Sequence, residues 1–433
     1  MKKVLFLFVL LSFFVFSEIK FDYGFDLRLR EEYLGNIFAP VGKDDDNYFR
    51  VKASLWGKWN FGENNVIFIK FSGEPRFYLE RGGFLSRERY RSDDEFIFEN
   101  LYFEFKKIFG SNFDLKIGRQ DFLGQYGEGF IIQEGTPGDG SRTFYFNALK
   151  LTYHFNEKNL IDFIYYNDPK EDFMPIINNN HKSLTNSDEK GVIVYGKFNP
   201  FQNINLTLEP YYIYKDQGTY TISYTIPNPT IIPALEFNTF GIRKVYSFDP
   251  WKLRGEIAYQ WGEYENGTDK RAWAGYAFLT RSFKDVKFSP SIDLGYVYLS
   301  GDKSDTLKDE GWDPVFGRWP WISELLLYYY FYDGEIAKFT NYNLWRASLN
   351  LIFSKNTNLA LSYNYFRANE PPVSSPLLET GKERGHLPTL ILRHKFTQNI
   401  SSHFWFEYFV PGDYYSPNRK NCTFVRWEIS MRF

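Results

Sequence analysis

The chain has 433 residues, 51 Lys and Arg against 53 Asp and Glu, and an aromatic content of 21%. So much apolar and aromatic material excludes a disordered chain, and the near-neutral balance excludes a basic nucleic-acid binder. A single cysteine, Cys422, excludes a disulfide framework and a cysteine-based zinc site, and five scattered histidines argue against a multi-histidine metal centre.

The first predicted element is a secretory signal over residues 1–17. Lys2 and Lys3 form its positive start, Val4 to Phe16 its apolar stretch, and Val15 with Ser17 its cleavage motif. Cleavage there removes two basic residues and turns the formal charge of −2 into −4. No later segment reaches the roughly 18 unbroken apolar residues that a membrane helix needs. A membrane location therefore requires strands, in one domain over 18–433.

Strands follow at once. A strand with lipid on one face and water on the other changes polarity at every residue, and Phe21 to Arg30 does so over ten positions. Val51, Ala53, Leu55 and Trp59 then alternate with Arg50, Lys52, Ser54 and Lys58, and Leu101, Phe103 and Phe105 with Tyr102, Glu104 and Lys106. The last strand sets Thr423, Val425, Trp427, Ile429, Met431 and Phe433 against Phe424, Arg426, Glu428, Ser430 and Arg432.

Connections sort by length. Short polar turns fall at 62–65, 109–112, 156–159, 199–203, 247–250, 284–286, 354–358 and 397–399. Longer ones fall near 35–47, 75–94, 123–142, 168–190, 216–236, 263–270, 300–340, 369–384 and 411–421. Eight short turns interleaved with nine long loops give eighteen strands, with both termini on the short-turn side. The predicted fold is all-β: a transmembrane antiparallel β-barrel with long extracellular loops and short periplasmic turns, in the cell outer membrane. Ser323 to Phe331 also reads as a strand, but counting it would put the turn at 354 on the wrong face. It is assigned to an external or inward-folding loop.

Strand parity puts Arg28, Arg30, Arg50, Lys52, Arg243, Arg254, Arg346, Arg393, Lys395 and Arg426 in the lumen. Planar guanidinium groups hold carboxylates with paired hydrogen bonds, so a series of them can pass a polyuronate from site to site. Asp22, Asp26, Glu104, Glu209, Glu256, Asp293, Glu407 and Glu428 share that face, and the plainer reading is that they pair with the arginines. Arg119 needs a bulge or a rim position to join them, because alternation from Phe113, Leu115 and Ile117 points it outward.

Aromatic residues near strand ends, among them Trp56, Trp59, Tyr211 to Tyr214, Tyr414 and Tyr415, read mainly as membrane-interface girdles. Inward Trp56, Tyr102 and Trp405 are the minority candidates for stacking on sugar faces. Asp44-Asp45-Asp46 lacks the glycine and distal Glu of a calcium loop and reads as a loop tip. Gly124 to Gly140 lacks a P-loop ending and reads as a folded loop narrowing a channel. His403 and Glu407 are about 13 Å apart along one strand, too far for a catalytic pair. No enzyme, metal or cofactor is predicted.

Five ordered segments resemble the alginate export family of outer-membrane porins. They are Gly118-Arg119-Gln120, Glu134 to Thr143, Ser300-Gly301-Asp302, Trp312 to Pro320, and Glu407 to Tyr415. The resemblance implies an eighteen-stranded barrel whose arginine-rich lumen passes an anionic polysaccharide, and it adds Arg142 and Arg119 to the candidate path. The expected function is an outer-membrane channel for an anionic polysaccharide or oligosaccharide, restricted by loops 123–142 and 300–340. The alternatives are a general or saccharide-uptake porin, or a loop-plugged structural or binding barrel. Expected partners are the saccharide, outer-membrane lipid and lipopolysaccharide, and periplasmic export components, with no nucleic acid.

Overall fold

The computed structural model describes residues 18–36, 45–80, 96–122, 124–132, 145–174, 185–222, 230–317, 321–325, 340–372, 381–415 and 419–433. The predicted signal segment and Arg142 lie outside them. The wall begins with β1 (Ile19–Gly35), β2 (Asp46–Phe61) and β3 (Asn65–Gly73, resumed as Arg76–Glu80). It continues through β4 (Ile97–Phe105), β5 (Phe113–Gln120), β6 (Phe146–His154), β7 (Leu160–Asp168), β8 (Glu189–Lys197) and β9 (Asn205–Gln217). Then come β10 (Leu235–Phe248), β11 (Trp251–Tyr264), β12 (Asp269–Ser282), β13 (Ser291–Leu299) and β14 (Tyr342–Ser354). The last four are β15 (Thr357–Arg367), β16 (Glu383–Lys395), β17 (Ile400–Pro411) and β18 (Cys422–Arg432).

Each strand pairs antiparallel with its sequence neighbour, and β1 pairs with β18 from Asp26 opposite Arg432 to Gly35 opposite Thr423. The sheet is thus a closed eighteen-stranded barrel, with no open edge. Both halves of β3 pair with β2, separated by Glu74 and Pro75. Proline has no N–H to give a ladder, which accounts for the break.

The eight short turns and both strand termini share one end, as predicted. The connection expected near 263–270 is a four-residue turn, because β11 and β12 stay paired up to Glu263 opposite Asp269. The connection after β9 carries its own small hairpin, Tyr220–Ile222 against Thr230–Ile232. Ser323 to Leu325 belongs to the β13–β14 connection, as expected, and 326–331 lies outside the described residues.

Alternation sends apolar side chains outward. Leu55, Leu79, Phe240, Ile257, Trp273, Leu294 and Tyr363 are each at least half exposed, a cost in water that hydrocarbon contact removes. Among the described residues no helix is long and apolar enough to cross a membrane. On the outer face, Tyr296, Trp345, Tyr365 and His386 form a run of rings with centroids 5.0–5.5 Å apart. Other aromatic residues assigned to girdles turn inward: Tyr211, Tyr414 and Tyr415 are buried, and Trp56 stacks on Phe68 in the bore.

Gly118, on β5, has φ +125°, and a Cβ there would lie 2.2 Å from the Leu101 carbonyl oxygen. Gly118→Ala is expected to cost about 1–3 kcal/mol, read as an earlier midpoint in urea unfolding of the refolded barrel. An unchanged midpoint would show that this stretch of β5 relaxes freely.

Candidate substrate path

Two connections fold into the long-loop half of the bore and build an apolar core there. From the β5–β6 connection come Phe122, Tyr126, Phe130, Ile131 and Ile132, and from the β13–β14 connection Trp312, Val315, Phe316 and Leu325. Ile132 and Phe316 form a bridge between the two. Full burial of rings such as Phe316 and Trp312 contributes about 1.5–3 kcal/mol each. These loops are therefore packed elements of the lumen.

Polar contacts fasten both loops to the wall. Glu128 receives Arg243 at 3.0 Å and Arg254 at 3.1 Å. Tyr126 donates to Asp162 at 2.7 Å. Burial, and then the Asp162 carboxylate, hold that loop hydroxyl's proton well above its ordinary range. The β13–β14 connection is tied at two separate stretches of wall. Over 309–317, Lys270 of β12 reaches Asp309 at 2.7 Å, Gln260 of β11 the Asp313 carbonyl at 2.8 Å and Lys215 of β9 the Val315 carbonyl at 3.1 Å. Over 321–325, Ser323 and the Glu324 and Leu325 N–H groups all donate to Glu407 of β17, while Glu324 accepts Arg426 of β18 at 2.6 Å. Only three residues join the two anchorages, so this connection acts as a strap inside the barrel.

The predicted lumen cations fall into groups with different surroundings. One row of directly opposed residues crosses six strands: Arg393 of β16, His403, Glu428, Arg30, Arg50 and, on β3, Arg76. At about 4.8 Å per strand the row covers roughly 24 Å. It lies across strands that tilt by about 40° in such barrels, so it climbs roughly 15 Å along the axis. It starts two residues from the short-turn end of β16 and finishes in the long-loop half of β3. Arg28 and Lys52 lie opposite one another one step toward the turns, and Arg426 one step toward the loops.

Most of this row is neutralised. Arg30 meets Glu428 at 2.6 Å and Glu32 at 3.2 Å, and Arg50 meets Glu74 at 3.0 Å and Glu32 at 3.3 Å. Arg28 pairs with Glu74, Arg426 with Glu32, and Lys52 with Glu99 at 2.9 Å. Arg50 and Glu74 are fully buried. Arg243 and Arg254 also face inward but lie against Glu128, Glu209 and Asp293, beneath the β5–β6 loop.

Arg346 and Arg393 differ. The Arg346 guanidinium donates to Ser348 and Asn364, each at 2.9 Å, and no described carboxylate lies within ion-pair distance. Arg393 is exposed in the bore and makes no ion pair or hydrogen bond with a described residue. On the β14–β16 wall these two guanidinium groups are open to an incoming carboxylate, and Arg432, the last residue of β18 and on the same bore-facing register as Arg426, is likewise exposed without an ion pair to a described residue.

Arg119 does not join them. The β4–β5 and β5–β6 pairings run without a register shift, so parity holds and Arg119 faces outward at the rim. There it forms a two-point ion pair with Asp172 at 2.6 and 2.9 Å, bonds the Phe98 carbonyl at 3.0 Å, and covers the Tyr145 ring at 3.9 Å. It clamps the β7–β8 connection.

Parity analysis missed Glu74, Arg76 and Arg384. Arg76 and Arg384 belong to strand segments that resume beyond the point where polarity alternation stops, behind Pro75 and beside Gly385. The buried carboxylates Glu74 and Glu99 complete the ion-pair row. Asp45 of the acidic triplet accepts the Asn36 N–H at 3.0 Å and the Tyr33 hydroxyl at 3.2 Å, as a loop brace. Asp44 lies outside the described residues. Among the described residues no three His, Cys, Asp or Glu side chains are grouped as a metal site.

A family model described as alginate export matches residues 20–420. Comparison with curated proteins gives no match. Among solved structures, the chain resembles Pseudomonas aeruginosa OccK2 (OpdF) in complex with glucuronate, with a TM-score of 0.57 and 10% identity over 95% of this chain and 98% of that one. It also resembles OpdK of the same organism with vanillate, TM-score 0.56 and 11% identity over 95% and 98%. A third is the outer membrane protein OprD, TM-score 0.56 and 10% identity over 95% and 93%. At these identities the likeness is one of fold.

Proposed function

The chain belongs to the alginate export family, and from that membership we propose that this outer-membrane channel passes an anionic polysaccharide or oligosaccharide of the alginate type. The observation that carries the reading is the inclined row of basic residues that begins at the unpaired Arg393, with Arg346 beside it on β14. A carboxylate arriving at Arg393 exchanges water for two charge-assisted hydrogen bonds. Farther along the row, Arg28, Arg30 and Arg426 already hold wall glutamates, so a substrate carboxylate exchanges with Glu428 or Glu32 and is not trapped. Arg50 and Lys52, buried in their pairs, support that row, and Arg243 and Arg254 hold the constricting loop. The loop residue Arg142 belongs to the proposed path through its family motif.

OccK2 is described with glucuronate and OpdK with vanillate; both ligands are carboxylates, which agrees with carboxylate passage through this wall. The inward-packed loops favour one further reading, a porin for small saccharide acids that takes up monomers or short oligomers. In either case we read the protein as a transporter and not an enzyme. Lipid meets the outer apolar band; lipopolysaccharide and periplasmic export components remain proposed partners.

In a planar bilayer under a salt gradient, the reversal potential is expected to show anion preference, and a polyuronate to block where a neutral oligosaccharide does not. Replacing Arg346 and Arg393 by Gln should move the reversal potential toward zero and weaken the block about tenfold, the loss of roughly one charge-assisted contact. Block by short uronates alone would select the small-solute porin. Selectivity and block unchanged in the double variant would remove these two residues from the path.

A further inference from the structure

The charges of this barrel are divided along its axis, and the division is independent of the arginine row. The eight short turns hold six lysines, Lys106, Lys107, Lys158, Lys284, Lys287 and Lys355, against four carboxylates, Glu63, Glu157, Asp249 and Asp285. The nine long connections hold 15 basic and 25 acidic residues. Glu128, Asp309 and Glu324 are spent on wall cations inside the bore and Asp172 on Arg119, which leaves 21 acidic against 15 basic residues in the long connections. Lys284 pairs with Asp249, which leaves five lysines against three carboxylates in the short turns. One end is therefore mildly basic and the other acidic, although the whole chain is close to neutral.

The bore surface extends the basic mouth inward. Lys58 of β2, Lys116 of β5, Lys252 of β11, and Arg393 and Lys395 of β16 share the bore-facing register near the short-turn ends of four strands. None of them forms an ion pair with a described residue. Lys116 lies over the Tyr102 ring at 3.8 Å. Carboxylates facing the bore at this end include Asp22, bonded by Asn60 at 2.9 Å, Glu104, and Asp114, bonded to His154 at 2.9 Å. Farther in, the cations of the row are matched by glutamates. The unneutralised positive charge of the described bore wall thus concentrates at the short-turn mouth and on the β14–β16 wall that leads up from it.

We propose that the short-turn, periplasmic mouth is a capture surface for carboxylated saccharide chains, and that the acidic long-loop mouth repels them. The inference rests on the anion-channel reading given above and adds a side to it. A flexible polyanion has many charges within a Debye length of a mouth, about 8–10 Å in physiological salt. Its approach is accelerated at a cationic rim and slowed at an anionic one by factors of 10 or more. Equilibrium transport acquires no direction from this, but the rate of threading does. The first guanidinium groups such a chain meets are Arg432, the last residue of β18, and Arg393, at the low end of the inclined row.

The test is one-sided block of single channels whose orientation is known from protease cleavage of the long loops. An oligogalacturonate hexamer added at the short-turn side is expected to block at about tenfold lower concentration than the same hexamer added at the long-loop side. Replacing Lys58, Lys252 and Lys395 by Gln should bring the two concentrations together, and raising the salt should do the same. Current rectification in symmetric potassium chloride is recorded on the same channels as a readout that needs no saccharide. Equal block from both sides would overturn the capture mouth while leaving the saccharide channel intact. No block from either side, with rectification retained and reduced in the triple variant, would defeat the saccharide reading and leave a sided anion mouth. Neither block nor rectification would defeat both.

Discussion

Deleting residues 312–325 is expected to raise the single-channel conductance several-fold, toward that of an open porin of this strand number. The deletion removes Trp312, Val315, Phe316 and Leu325 from the core inside the lumen and releases Glu407 from its three donors. The wall is expected to survive, because its ladder is closed through β1 and β18 without any contribution from the strap. A milder variant separates latch from bulk. Glu407→Ala leaves every strap residue in place but removes the acceptor for Ser323, Glu324 and Leu325, while Arg426 keeps Glu32. It should give a flickering conductance with brief large openings. If both variants conduct like the parent, the strap lies beside the conducting route, and the bore along β13 to β16 carries the current alone.

The second large effect is on stability. Arg50→Ala is expected to cost about 3–5 kcal/mol, because it leaves Glu74 and Glu32 facing a buried space without the guanidinium that offset their desolvation. Urea unfolding of the refolded barrel, followed by its heat-modifiable migration, measures this. Anion preference should change little, since Arg50 has no exposed surface. Arg393→Gln should do the reverse: selectivity falls while the unfolding midpoint stays within about 0.5 kcal/mol, as for other exposed sites. If Arg50→Ala abolishes anion preference without loss of stability, the buried end of the row is part of the path and not its support.

The two arginines illustrate what strand parity can and cannot say. Both were legible as lumen residues from alternation alone, and both belong to the same cross-strand row. Their roles differ because Arg50 lies where Glu32 and Glu74 converge on it, while Arg393 has Asn358 of β15 and His403 of β17 directly opposite and no carboxylate. Arg119 is the complementary case. Alternation pointed it outward, the family motif drew it inward, and the unbroken register of β5 kept it outside, where Asp172 neutralises it.

Sequence by itself determined the eighteen strands, all but one of the divisions into short and long connections, the shared end of both termini and the inward face of the charged residues that parity placed there. Those features depend on local physics: a two-residue polarity period, imposed by lipid on one side and water on the other, is written into each strand separately. Only the tertiary structure decided which lumen cations are neutralised, that two loops build an apolar core within the bore, and that β3 resumes after Glu74 and Pro75. Each of these depends on residues brought together by barrel closure, such as Arg30 and Glu428 or Ser323 and Glu407. No local period encodes such a meeting, because shear and loop packing set it only once the sheet has closed.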